Sequence, residues 1–200
     1  MITLKLKLTQ PINIEKYQKQ FTNIRNFAFN RFIEGMSQNQ IEQEVKNKLN
    51  NIELMDVSLQ KEAVNDARTL IKKDQKTVIF GSKKNWQNYN NKVISKEEYK
   101  KRKLCSIIVR GETGRGNRKF KLDAKNNQII FSPNRTNKII CQYEKTKRDK
   151  TLLKLQQLCE LGTTYFTARL DENYVYITFD ETILRKEKYK SIKKEFVQST

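Results

Sequence analysis

Ile2, Leu4, Leu6 and Leu8 alternate with Thr3, Lys5 and Lys7, and this period of two predicts a first strand. Pro11 ends it, because proline cannot donate to a ladder. The period then changes. Ile14, Tyr17, Phe21, Ile24 and Ala28 recur at steps of three and four, the buried seam of a long helix that Gly35 stops. Ser37 with Gln40 reads as a capping box for a second helix, whose stripe is Ile41, Val45 and Leu49. A third helix carries Leu59, Ala63, Ala67 and Leu70 and ends near Lys73; its small alanines would admit a close neighbour. A fourth, short helix opens at Ser95 with Glu98 and closes on Lys100 to Lys103, cations suited to the negative end of its dipole.

From Cys105 the period is two again. Cys105, Ile107 and Val109 form one alternating set, then Phe120 and Leu122, Ile129 and Phe131, and Ile139, Cys141 and Tyr143. A helix over about 149–161 carries Leu152, Leu155 and Cys159 and stops at Gly162. A hairpin follows, Phe166 to Leu170, a turn at Asp171-Glu172-Asn173, and Val175 to Phe179. Short strands with frequent turns predict an α+β fold, a small β-barrel split by an inserted helical bundle. The predicted parts are a barrel from 1–10 and 105–180, an inserted helical domain over 11–104, and a charged linker over 181–200.

Composition narrows the function. The 200 residues hold 41 Lys and Arg against 22 Asp and Glu, a net charge of +19. Thirty of the basic residues are lysines, which an AT-rich coding bias would inflate, but that bias does not thin out the acids. Such an excess repels itself in a compact fold and is expected where the partner is a polyanion. The expected partner is nucleic acid, not membrane: no apolar run is long enough to span one. The N-terminus alternates instead of forming a secretory block, and three widely spaced cysteines, Cys105, Cys141 and Cys159, suit a reducing compartment. Cytoplasmic placement, in a bacterial, phage or mobile-element host cell, is the corresponding expectation. There is no histidine, which removes Ser-His-Asp and Cys-His catalysis and every His-containing zinc site. The aspartates, Asp56, Asp66, Asp74, Asp123, Asp149, Asp171 and Asp180, are scattered and form no recognisable metal-binding pattern. No catalytic set and no metal or other cofactor site is expected in this chain.

The densest basic stretch runs from Gly81 to Leu122, with Phe80, Trp86, Tyr89, Tyr99 and Phe120 at or within it. Cations hold phosphates and aromatic faces stack on bases, so the candidate nucleic-acid-binding residues are Lys83, Lys84, Asn85, Trp86, Arg110, Arg115, Asn117, Arg118, Lys119 and Lys121. Half of the six glycines, Gly111, Gly114 and Gly116, lie just before the last of these and would let backbone N–H groups approach a phosphate. In the strand that follows, Phe120 and Leu122 are expected to face inward and Lys119 and Lys121 outward, with Arg118 at the barrel mouth.

The order of parts resembles a known family. A strand, a helical insertion, Phe80-Gly81-Ser82-Lys83-Lys84-Asn85-Trp86, a Ser-Lys-Glu-Glu helix at 95–98, and Gly116-Asn117-Arg118-Lys119-Phe120-Lys121-Leu122 together resemble the N-terminal half of TnpB-like transposon-encoded proteins and type V CRISPR effectors. The resemblance implies that the strands form a wedge domain, a small oligonucleotide-binding-type β-barrel, and the helical insertion a recognition domain. It implies that they grip guide RNA and the RNA–DNA duplex and read an adjacent motif in target DNA. Family members continue into a RuvC-like nuclease that binds magnesium through three carboxylates. This chain reaches Thr200 about where that nuclease would begin. The implied function is therefore the non-catalytic, binding half of an RNA-guided DNA endonuclease, with a nuclease subunit or domain C-terminal to Thr200 as a further partner. The alternative is a free-standing basic regulator or inhibitor that covers nucleic acid or a partner protein.

Overall fold

Alternation along Ile2–Lys7 gives strand β1, with Leu6 buried and Thr3, Lys5 and Lys7 exposed. In the computed structural model, which describes residues 1–50, 53–71 and 81–182, β1 is one member of a mixed α+β architecture. The chain divides into two units, one of residues 1–12, 109–132 and 138–200, the other of residues 13–108 and 133–137. Phe80, Asp74 and all but the first two residues of the 181–200 linker lie outside the described residues, while the third helix, expected to end near Lys73, ends at Thr69 with Leu70 as its cap.

In the β-rich unit, β1 pairs antiparallel with β7 (Tyr174–Phe179), Leu4 opposite Ile177 and Leu6 opposite Val175. β7 pairs with β6 (Thr167–Leu170) through a turn built by Asp171, whose Oδ1 accepts from the N–H of Asn173 and of Tyr174. With β2 (Ile107–Val109), of which Val109 falls in this unit, the sheet order is β1-β7-β6-β2. A second antiparallel sheet holds β3 (Phe120–Asp123), β4 (Gln128–Phe131) and β5 (Ile139–Gln142) in that order. Its inner face carries Phe120 stacked on Phe131 at 4.8 Å, with Leu122, Ile129 and Cys141 also buried. Helix α6 (Asp149–Glu160) buries Leu152, Leu155 and Leu158 on one stripe, and the Gln156 Oε1 accepts from the Ala124 N–H beyond β3.

The described strands form two sheets and no closed barrel. The chain beyond β1 leaves the first sheet and bridges to the end of the second at Leu8 and Tyr143, supported by Thr9 N–H to Gln142 O (3.0 Å) and Glu144 N–H to Lys7 O (2.9 Å). On the far side the join is made by a side chain, that of Asn117, and not by a ladder.

The helical unit is built on α1 (Glu15–Ile33), which packs chiefly against α3 (Val57–Thr69). Ile14, Phe21, Ile24 and Ala28 on the α1 side meet a core that includes Leu59, Ala63, Val64 and Ala67, all fully buried. Both alanines of the predicted third helix, Ala63 and Ala67, are fully buried. A shielded ion pair, Arg25 with Asp66 at 3.8 Å, joins the two helices. Helix α2 (Gln38–Lys48) is held by Arg31–Glu44 (3.1 Å) and Lys61–Glu42 (2.8 Å). The segment 133–137, between β4 and β5 in sequence, belongs to this unit: Pro133 O accepts from Asp56 N–H, and the buried Asn134 amide donates to Glu53 O. Helices α4 (Lys83–Asn90) and α5 (Lys96–Arg102) complete it. No helix among the described residues is long and apolar enough to cross a membrane.

Candidate nucleic-acid interface

The candidate residues fall into the two units. Lys83, Lys84, Asn85 and Trp86 lie together on α4, which the sequence did not predict as a helix. Ser82 caps it, Oγ accepting from the Asn85 N–H at 3.3 Å. Gly81 is needed just before it, at φ 94°, because a β-carbon there would lie 2.8 Å from Lys103 Cγ and 3.0 Å from Lys103 Cα. α4 and α5 are clamped by Tyr89 stacked on Tyr99, centroids 4.8 Å apart and nearly parallel, with Lys103 Nζ 5.0 Å from the Tyr99 ring. Asn85 serves this clamp: its amide donates to Gly81 O at 3.0 Å and its Oδ1 lies 3.5 Å from Arg102. Lys83, Lys84 and Trp86 are left exposed, the indole by 44%.

In the β-rich unit, Arg115 and Arg118 share one carboxylate, each 3.5 Å from Glu112 Oε2 at an exposed loop tip. Gly111 is required by a close approach, since a β-carbon would sit 2.6 Å from Phe166 O. The expected phosphate-facing amides are largely used internally. Glu112 N–H donates to Gly116 O, Arg115 N–H to Glu112 O, and the N–H groups of Lys119 and Phe120 to Asn117 Oδ1 at 3.1 and 2.9 Å.

Asn117 itself is saturated. Its Nδ2 donates to Val109 O (3.0 Å) and Phe166 O (3.2 Å), while its Oδ1 takes those two N–H groups. It fastens β2, the residue before β6, and β3, so its place is in the framework beneath the surface cations. Phe120 is fully buried and Leu122 nearly so, while Lys121 is exposed and Lys119 and Arg110 are half-buried.

Of the thirteen cations between Gly81 and Leu122, ten are exposed: Lys83, Lys84, Lys92, Lys96, Lys100, Lys101, Arg102, Arg115, Arg118 and Lys121. Lys83, Lys84, Lys96, Lys100 and Lys121 form no ion pair among the described residues.

Two surfaces escaped the sequence reading. One is a groove of about 880 Å³ in the helical unit, lined by Lys19, Thr22, Asn23 and Asn26 of α1 and by Ser95, Lys100, Lys101 and Lys103 at α5, with Glu15, Glu97 and Glu98. The Lys19 ammonium, bonded to Glu15, holds that carboxyl below its usual range, and Lys101 adds to the effect. The 3–4 spacing of Lys19, Thr22, Asn23 and Asn26 was the available signal, a polar stripe opposite the apolar seam. The other is the outer face of the first sheet, where Lys5 Nζ lies 3.8 Å from the Tyr174 ring and Arg169 Cζ 5.6 Å from that of Tyr176.

Among the described residues no group of three or more Cys, Asp or Glu side chains is arranged to hold a metal ion. The thiols of buried Cys141 and half-buried Cys159 are poor nucleophiles: burial pushes Cys141 up to about 12 and, with Glu160 adding to the effect, Cys159 up to about 11. No protein-family model matches the chain, and no curated protein matches it.

Proposed function

We propose that this chain is a nucleic-acid-binding module that grips structured RNA by its phosphates, and that it corresponds to the guide-RNA-holding half of a TnpB-like RNA-guided DNA endonuclease. One observation carries the reading: a net charge of +19, with a run of exposed lysines that no carboxylate in the described chain neutralises. Such cations have nothing to gain inside the protein and release counterions when they meet a phosphate backbone. Lysine supplies point charges without base selectivity, so phosphates dominate the affinity. The two sheets, joined at Leu8–Tyr143 on one side and by Asn117 on the other, are read as halves of an oligonucleotide-binding-type barrel. The helical unit is read as the recognition domain. Cleavage is assigned to no residue of this chain; target DNA, and a nuclease domain or subunit carrying its own magnesium, are the remaining partners of the proposal.

The test is a mobility shift of a labelled stem-loop RNA by the purified chain at low salt. A shift that an excess of unlabelled structured RNA competes away supports the reading. No retention of RNA at low salt ends it.

A further inference from the structure

The outer face of the first sheet is built unlike an ordinary solvated face. Strands β1, β6 and β7 contain no acid; Glu144, outside them, pairs with Lys7 at 2.6 Å, and neither Lys5 nor Arg169 forms an ion pair among the described residues. Outward positions on β7 are Tyr174, Tyr176 and Thr178, opposite the buried Val175, Ile177 and Phe179. The register sets Lys5, Tyr176 and Arg169 on one rung across three strands, with Lys7 and Tyr174 on the next. The two tyrosine rings lie 6.2 Å apart. Lys5 Nζ is 3.8 Å from one centroid and 5.8 Å from the other, and Arg169 approaches Tyr176 from the opposite edge.

We propose that this face is a stacking platform for two consecutive bases of an unpaired RNA strand, Tyr174 and Tyr176 carrying the bases and Lys5 and Arg169 the flanking phosphates. The proposal rests on the nucleic-acid-binding reading and names the class of strand bound. The ring spacing selects the ligand: 6.2 Å is too wide for the roughly 3.4 Å step of a stacked helix and suits an extended single strand. Cations beside aromatic rings on a sheet are what an unpaired strand needs, since its bases have free faces and its phosphates run alongside. Lys5 now covers the Tyr174 ring. A cation over a ring at the half-exposed surface is held less strongly than a stacked base, and a flexible lysine that yields its place can reach the adjoining phosphate.

The experiment compares a labelled oligo(A) RNA with a matched oligonucleotide whose bases are replaced by abasic riboses, so that phosphates are equal and only stacking differs. The wild-type chain is expected to bind oligo(A) at least about tenfold more tightly. Tyr174→Val with Tyr176→Val, which keeps strand-forming side chains, should reduce oligo(A) binding to the abasic level and leave abasic binding unchanged. Tyr174→Phe with Tyr176→Phe should keep the preference, since the ring and not the hydroxyl stacks. Equal wild-type affinity for the two oligonucleotides overturns the platform and leaves the phosphate-binding reading standing. So does a preference that survives the valine pair, or one that the phenylalanine pair loses. Binding of neither oligonucleotide, nor of the stem-loop RNA, defeats the broader reading itself. The wild-type comparison and the phenylalanine pair can each still overturn the platform if the valine pair misfolds.

Discussion

Asn117→Ala separates framework from ligand contact more sharply than any other substitution in the basic loop. Asparagine here makes four hydrogen bonds, two donated to Val109 O and Phe166 O and two accepted from Lys119 and Phe120 N–H. A net value of about 1 kcal/mol for each bond gives an upper figure near 4 kcal/mol. The residue is half-buried, so water recovers part of the loss, and the expected cost is about 2–4 kcal/mol. Each kcal/mol lowers the melting temperature by about 2–4 °C in a chain of this size. Asn117→Asp should cost at least as much, because it turns both donors into an acceptor facing two carbonyl oxygens. Arg118→Ala, one residue along and exposed, should stay within about 0.5 kcal/mol. Urea titration followed by circular dichroism measures the three, and RNA affinity is read well below each transition. If Asn117→Ala keeps wild-type stability and loses RNA binding, the clamp is wrong and Asn117 is a ligand residue.

Phe120→Ala should cost about 3–5 kcal/mol by calorimetry, since the ring is fully buried against Phe131. Replacing Lys83, Lys84 and Lys121 together with Ala should leave the melting temperature within a few degrees and weaken stem-loop RNA binding by roughly 1–2 kcal/mol, because these side chains are exposed and form no ion pair. Burial raises the Cys141 thiol from 9.0 to about 12, so the folded state keeps a proton that the unfolded state releases. The resulting stability is complete below pH 9 and is lost as pH rises towards 12, by about 1 kcal/mol at pH 10; urea midpoints of the wild type and Cys141→Ala across pH 8 to 10.5 should show the slope shrinking in the variant. Purified chain with magnesium or manganese should leave RNA and DNA intact on a gel; cutting that disappears when one Asp is replaced would refute the non-catalytic reading.

The elements with an inner and an outer face were legible as sequence. β1 and β7 announce themselves by alternation, α1 by its seam, and the Ser95 cap by spacing, its Oγ accepting the Glu98 N–H at 3.1 Å. α4 was not, for a physical reason: Lys83–Asn90 has no fully buried residue and so no stripe to read. What holds it is tertiary, the Tyr89–Tyr99 stack and the close approach at Gly81. Segment 133–137 was equally opaque, since backbone groups and one buried amide tie it to Asp56 and Glu53. The glycine-rich string stood out by composition, but a composition cannot reveal that Asn117 spends all four of its hydrogen-bonding positions inside the chain. On β7 the alternation pointed to the core positions from Val175 to Phe179, while the outward face of Tyr174 and Tyr176 became visible only when the register set Lys5 and Arg169 beside them.

Binding dominated by phosphates makes RNA affinity fall steeply with salt. Binding of the stem-loop RNA should be measured at several monovalent salt concentrations between about 50 and 300 mM, and log K plotted against log salt. If exposed lysines neutralise on the order of five or more phosphates, the slope is about −4 or steeper, at roughly −0.9 per phosphate on a duplex. A flat plot would contradict the account, because an affinity indifferent to salt cannot come from the charge that this chain displays.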